Sequence, residues 1–198
     1  MSQAAGRLPG PRRVAVFGSS EPPAGHAGYE AARRVGRLLA SRGFAVLNGG
    51  YGGVMEGASR GAREGGGEAI GVTTDEFARR GGGNAYLSRE IREPDLLLRT
   101  RTLLQLADAF VVLPGKSGTW AELFLVWALH RADLLGPRPV VLLGSGWEAA
   151  VAALEGWGIL EPDHREVVRL AATPEETVAL VALGIDQFER FRQGDTPT

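Results

Sequence analysis

Asp108-Ala109-Phe110-Val111-Val112-Leu113-Pro114-Gly115-Lys116-Ser117-Gly118-Thr119-Trp120-Ala121-Glu122 is the stretch on which the fold turns. Ala109 to Leu113 is an unbroken, valine-rich apolar run, which predicts a short strand buried on both faces. Pro114 to Gly118 reads as a turn. Beyond it Trp120, Leu123, Phe124, Val126 and Trp127 recur at three- and four-residue steps, predicting a helix over about Gly118 to Arg131. A strand that feeds a glycine-bearing loop at a helix start brings free N–H groups and a positive dipole end to one point, a place for an anion. Thr119 is the expected cap of this helix, and its hydroxyl can also serve a phosphate oxygen. Glu122 follows one turn on, so its carboxylate can sit beside whatever the loop holds. An ordinary capping box between Thr119 and Glu122 fits the same spacing.

The same order of strand, glycine-bearing loop and helix occurs twice upstream. Arg13 to Phe17 is a first strand, followed by Gly18-Ser19-Ser20. Tyr29 to Ser41 carries apolar residues at helical spacing (Ala32, Val35, Leu38, Leu39) and stops at Gly43. Phe44 to Leu47 is a second strand, and Asn48-Gly49-Gly50-Tyr51-Gly52-Gly53 leads into a helix from Val54 to about Glu64. So many glycines exceed the need of a tight turn and let a backbone pass close to a bound group, although flexible punctuation is the plainer alternative. Met55 and Ala58 are expected in the helix core.

Ala69 to Val72 is a third strand. Thr73 to Ser88, with Gly81-Gly82-Gly83-Asn84, is expected to form a polar loop or lid, and Leu87 to Ile91 a short strand. Glu93-Pro94-Asp95 opens a helix through Leu106, with Leu96, Leu97, Leu103, Leu104 and Leu106 as its apolar positions. Arg99 and Arg101, two apart in that helix, must point to different faces. After the signature helix come a strand at Pro139 to Leu143, a helix at Trp147 to Glu155, a short strand at Val167 to Ala171, and a helix from Pro174 to about Arg192.

Alternating strands and helices of these lengths predict an α/β fold, a single-domain, doubly wound, Rossmann-like and mostly parallel sheet flanked by helices. The domain is expected over residues 13–192, with a loose leader at 1–12 and a tail at 193–198. In such sheets ligands sit beyond the carboxyl ends of the strands, where the winding reverses. The loops Gly18 to Ser20, Gly49 to Gly53 and Gly115 to Thr119 all follow strands, so all three belong to that edge. They point to a nucleotide.

Composition narrows the class. The chain has 198 residues, 44% hydrophobic and 23% charged, with a net charge of −1, so no basic surplus suggests nucleic acid or an anionic membrane. The absence of cysteine removes disulfide and thiolate chemistry. His26, His130 and His164 are scattered without ligand spacing, so no metal site is expected. No apolar run is long enough for a membrane span and no signal pattern opens the chain, which reads as cytosolic. Lys116 is the only lysine in the sequence, and it stands inside the anion-ready turn.

Taken together, Pro114-Gly115-Lys116-Ser117-Gly118-Thr119-Trp120-Ala121-Glu122, the run Gly49-Gly50-Tyr51-Gly52-Gly53-Val54-Met55-Glu56 and the Gly18-Ser19-Ser20 turn resemble the LOG (Lonely guy) family. Its members are cytokinin riboside 5′-monophosphate phosphoribohydrolases, long labelled possible lysine decarboxylases. The family hallmark is Pro-Gly-Gly-x-Gly-Thr-x-x-Glu, preceded by a helix with a functional arginine that falls here on Arg99. The resemblance covers roughly residues 13 to 145. It implies hydrolysis of the N-glycosidic bond of an AMP-like nucleoside 5′-monophosphate, with Glu122 and Arg99 catalytic. Gly115, Lys116, Ser117, Gly118 and Thr119 would bind the phosphate, together with Gly18, Ser19, Ser20, Gly49, Gly50, Gly52 and Gly53 around the nucleotide. It further implies a homodimer and no metal or cofactor. Lys116 stands where the hallmark has its second glycine, and Thr100 where the family's Arg-Lys pair has lysine. These departures bear on the substrate and keep open a non-catalytic nucleotide-binding or sensor protein on the same fold. The decarboxylase label fails on chemistry: a pyridoxal cofactor needs a Schiff-base lysine, and Lys116 sits in a loop built for phosphate.

Overall fold

The computed structural model describes residues 10–80, 82–160 and 167–193; the leader up to residue 9, Gly81, His164 and the tail from 194 lie outside them. The chain runs β1 (Arg13–Phe17), α1 (Ala27–Ser41), β2 (Ala45–Asn48), α2 (Val54–Glu64), β3 (Ala69–Thr74), a 3-10 helix (Asp75–Arg80), β4 (Arg89–Glu93), α3 (Leu96–Leu106) and β5 (Ala109–Val112). It continues through α4 (Ser117–Arg131), β6 (Val140–Leu143), α5 (Trp147–Gly156), β7 (Val168–Ala171) and α6 (Pro174–Gln193). The seven strands form one sheet in the order β4-β3-β2-β1-β5-β6-β7. Every strand pair in it is parallel.

Strand side chains alternate between two cores, as the period of two demands. On β1, Ala15 and Phe17 join the core shared with Leu103 and Leu104 of α3, Leu123 and Trp127 of α4 and Trp147 of α5. Val14 and Val16 face the other way, into the core shared with Val35 and Leu39 of α1, Ala58 and Ala62 of α2 and Val178 and Val181 of α6. Burial on both faces explains why β1, β2, β3, β5 and β6, Arg13 and Asn48 apart, are fully buried runs of apolar and small residues. Helices α1 and α2 touch backbone to backbone. A Cβ on Gly61 would lie 1.8 Å from the Arg33 carbonyl oxygen, and one on Gly36 2.1 Å from that of Ala58.

Several sequence expectations move. The strand expected at Leu87 to Ile91 lies two residues on, because Ser88 instead binds the backbone of Ala69 at the mouth of β3. Thr73 and Thr74, expected in a loop, complete β3, and the lid region begins as the 3-10 helix. Pro94 stands before the helix, not within its first turn: Asp95 is the N-cap and accepts the Leu98 N–H at 2.8 Å. Leu97, placed among the apolar positions of α3, is 81% exposed. No helix among the described residues is long and apolar enough to cross a membrane.

The topology fixes where the winding of the sheet reverses. From β1 the chain winds outward to the β4 edge, then returns beside β1 as β5 and winds to the β7 edge. The reversal falls between β1 and β5, whose following loops part there and leave a crevice.

Candidate functional site

The crevice is a cavity of about 750 Å³, within the usual size of a small-molecule site. Its lining includes Gly18, Ser19 and Ser20 after β1, Gly52 after β2, Lys116 to Thr119 at the start of α4, Arg99 of α3 and Glu122 of α4. Gly49, Gly50, Gly53 and Gly115 are not among its lining residues; their missing side chains make room for other parts of the protein. A Cβ on Gly115 would meet the Thr119 hydroxyl oxygen at 2.1 Å, and one on Gly49 would meet Arg99 Nη2 at 1.7 Å. Gly53 takes φ of 66° and turns the chain into α2 against Ser19 and Ser20.

Helix α4 begins three residues earlier than a Thr119 cap requires. Lys116 is the N-cap, with no side-chain capping bond, and Ser117 is the first helical residue. Thr119 is therefore the third residue of the helix and is 4% exposed, which removes both the Thr119 cap and the Thr119–Glu122 capping box. The N–H groups of Ser117, Gly118 and Thr119 precede the first intrahelical bond, which Trp120 N–H makes to Lys116 O at 3.1 Å. These residues line the cavity, and free N–H groups at a helix start are an arrangement suited to an anion. Ser19 N–H reaches the Pro114 carbonyl at 3.3 Å and ties the two loops together. Lys116 Nζ pairs with Glu21 Oε1 at 2.6 Å, with both side chains largely exposed.

Arg99 is buried, whereas Arg101 is exposed, as their spacing required. Its Nε donates to the Val72 carbonyl at 2.8 Å, and its guanidinium stacks 5.6 Å over the Tyr51 ring. Nη1 stands 3.9 Å from Glu122 Oε1, near enough for attraction but too far for a hydrogen bond. Among the described residues Glu122 accepts no hydrogen bond, and the four remaining N–H donors of Arg99 are unused. Burial pushes the Glu122 carboxyl up to about 7 against the opposing pull of Arg99. Burial likewise lowers Arg99 from its ordinary value, while Glu122 and then Tyr51 hold it up.

The far end of the cavity is formed by residues outside the expected site: Tyr51, Met55, Glu56, Phe77, Asn84 and Leu96. Met55, expected in the helix core, is part of this wall; Ala58 is in the core. Tyr51 packs edge-on against Phe77 at 5.7 Å, and its hydroxyl accepts the Thr74 N–H at 2.9 Å. Asn84 Nδ2 donates to the carbonyls of Gly50 and Tyr51 at 3.1 and 3.0 Å, holding the glycine loop in place. Tyr51 was legible as the one bulky residue inside the glycine run. Nothing in the local sequence marked Phe77 or Asn84. Among the described residues no group of His, Cys, Asp and Glu side chains could hold a metal ion.

Known proteins share the sequence pattern and the fold. The model of the SLOG cluster4 family matches residues 11–154. A probable cytokinin riboside 5′-monophosphate phosphoribohydrolase of Oryza sativa subsp. japonica, LOGL2, is 30% identical over 174 residues, spanning 84% of this chain and 70% of that protein. The X-ray structure of TM1055 is 32% identical with a TM-score of 0.69, covering 87% of this chain and 99% of the other. The Moco carrier protein of Chlamydomonas reinhardtii is 25% identical with a TM-score of 0.70, covering 89% and 99%. With the glycine loops, the α4 N-terminus and the Arg99–Glu122 pair gathered at one switch point, and with a family model spanning most of the sequence, this chain belongs to the SLOG cluster4 family of LOG-type proteins.

Proposed function

We propose that the protein hydrolyses the N-glycosidic bond of a nucleoside 5′-monophosphate, AMP or an N6-modified AMP, to the free base and ribose 5-phosphate. One observation carries the reading. A carboxylate only 15% exposed, with no hydrogen-bond donor among the described residues, faces at 3.9 Å a guanidinium with four unused donors, in a cavity that also holds the N-terminus of α4. Such idle groups are costly unless a ligand completes them.

The 5′-phosphate goes to the N–H groups of Ser117, Gly118 and Thr119, with Gly18 to Ser20 on its other side. The base goes to the apolar wall of Tyr51, Met55 and Phe77, and C1′ lies beside Glu122. As the C1′–N bond breaks, its electron pair leaves with the base, and positive charge spreads over C1′ and the ring oxygen. Ionised Glu122 stabilises that charge and takes a proton from the attacking water, whose oxygen bonds to C1′; the departing base nitrogen takes up a proton. Arg99 spends its idle N–H groups on substrate oxygens, and its charge keeps a fraction of Glu122 ionised. Phosphate binding away from the reacting carbon fixes the sugar in register. Exposed Phe124 and Leu125 of α4 offer apolar area for the homodimer, whose mass light scattering reads directly.

A second reading, binding without turnover, is favoured by Lys116. Its pair with Glu21 spans the two loops at the anion site, and a protein of this fold, from Chlamydomonas, is a carrier. One experiment separates the two: incubate the protein with a panel of nucleoside 5′-monophosphates and resolve free base by chromatography. Base release that collapses in Glu122→Ala supports the hydrolase. Nucleotide binding without release in the parent, or release undiminished in Glu122→Ala, refutes it.

A further inference from the structure

We infer that Glu56 is a specificity-determining residue of this cavity: its carboxylate accepts the sugar hydroxyls of a bound ribonucleotide and so separates it from the 2′-deoxy form. The inference rests on the reading of the cavity as a nucleoside monophosphate site.

Glu56 is half-buried, lines the cavity and lies in the first turn of α2. One of its oxygens is already spoken for. Tyr29, 1% exposed on α1, donates its hydroxyl to Glu56 Oε1 at 3.1 Å and so fixes the carboxylate from a rigid support. Oε2 accepts no hydrogen bond from the described residues, and no ion pair neutralises the group there. An ionised carboxylate has capacity for about four hydrogen bonds, so most of it is unused.

The position of that charge says what it meets. Val54 N–H bonds to Ser19 O at 2.9 Å, so the N-terminus of α2 abuts the loop after β1. A helix start beside a glycine loop would itself attract phosphate, but the negative charge of Glu56 in its first turn opposes a second anion there. The phosphate is left to the N-terminus of α4, which carries no acid in its first turn and has Lys116 as its cap. Between that phosphate and C1′ beside Glu122, the ligand presents only the sugar, whose neutral hydroxyls are donors.

The test is calorimetric titration of AMP and 2′-deoxy-AMP into full-length Glu122→Gln protein, in which turnover does not disturb the equilibrium. AMP is expected to bind about 10-fold or more tightly than its deoxy analogue, the usual worth of a hydrogen bond to a charged group. Adding Glu56→Ala should bring the two within about 2-fold, by weakening AMP while 2′-deoxy-AMP binds as well or better. Glu56→Gln, which keeps an acceptor for Tyr29, guards against a folding defect and should give intermediate discrimination. Equal affinities before the change, or a preference that survives Glu56→Ala, overturn the role of Glu56 while leaving the nucleotide site standing. Failure of both nucleotides to bind brings down the site and this inference together.

Discussion

The ionisation of Glu122 ties stability to activity and can be tested with one substitution. Burial raises this carboxyl from an ordinary 4.5 to about 7, so the folded chain holds its proton more tightly than the unfolded chain does. The stabilisation from that proton is complete below about pH 4.5 and is lost as pH rises through about 7. At 1.36 kcal/mol per unit, the span amounts to about 3 kcal/mol. The side chain is only 15% exposed, so little of this is screened by solvent. Glu122→Gln keeps the shape and cannot ionise. Urea unfolding of both proteins at roughly pH 4.5, 6 and 8 should show the variant gaining on the parent by about 3 kcal/mol across the range. The Arg99 attraction acts only on the ionised carboxyl and is already contained in the shift to about 7, so it needs no separate allowance. The same titration should appear in catalysis. With the ionised form competent, kcat/KM rises with pH and levels off above about 7. A stability gap between parent and variant that is flat with pH would refute the reasoning, since no titration of Glu122 would then separate folded from unfolded chain.

Two glycines carry further predictions. Gly49→Ala puts a methyl 1.7 Å from Arg99 Nη2 and must push the guanidinium from its place, so base release should fall on the order of 100-fold; unchanged kcat would show that Arg99 has no fixed role. Gly61→Ala places its Cβ 1.8 Å from the Arg33 carbonyl and drives α1 from α2, costing about 3 kcal/mol by urea unfolding. Gly156→Ala on α5, where a Cβ meets nothing within 4 Å, is the control and should change stability by less than about 1 kcal/mol.

The sheet was legible because its interior strands are buried on both faces, so Val14 to Phe17 and Ala109 to Val112 stand out as apolar runs without needing a pattern. The edge strand β4 was harder. Arg89-Glu90-Ile91-Arg92-Glu93 is mostly charged and mostly exposed, and it gains its place by pairing with β3, which local sequence does not record. The start of α4 was misplaced for a related reason. Thr119 is a better intrinsic cap than Lys116, yet Gly115 leaves a space that takes the Thr119 hydroxyl, and the helix winds back to Ser117. A fit between two residues outranked a propensity worth about 1 kcal/mol.

The placement of Arg99 shows why glycines and site could be found together yet misunderstood. The glycine run after β2 suggested a backbone passing close to a ligand, but at Gly49 the group that needs the space is the protein's own guanidinium. Three elements fix that group: the β3 carbonyl of Val72 takes Nε, the ring of Tyr51 supports the guanidinium plane, and Gly49 leaves the space for Nη2. None of the three is near Arg99 in sequence. A guanidinium held this way cannot swing to close the 3.9 Å to Glu122 without giving up its bond to Val72. The separation therefore belongs to the fold: at 3.9 Å the two groups do not bond to each other, and so short a gap leaves their free hydrogen-bonding capacity to a group beside them, not between them.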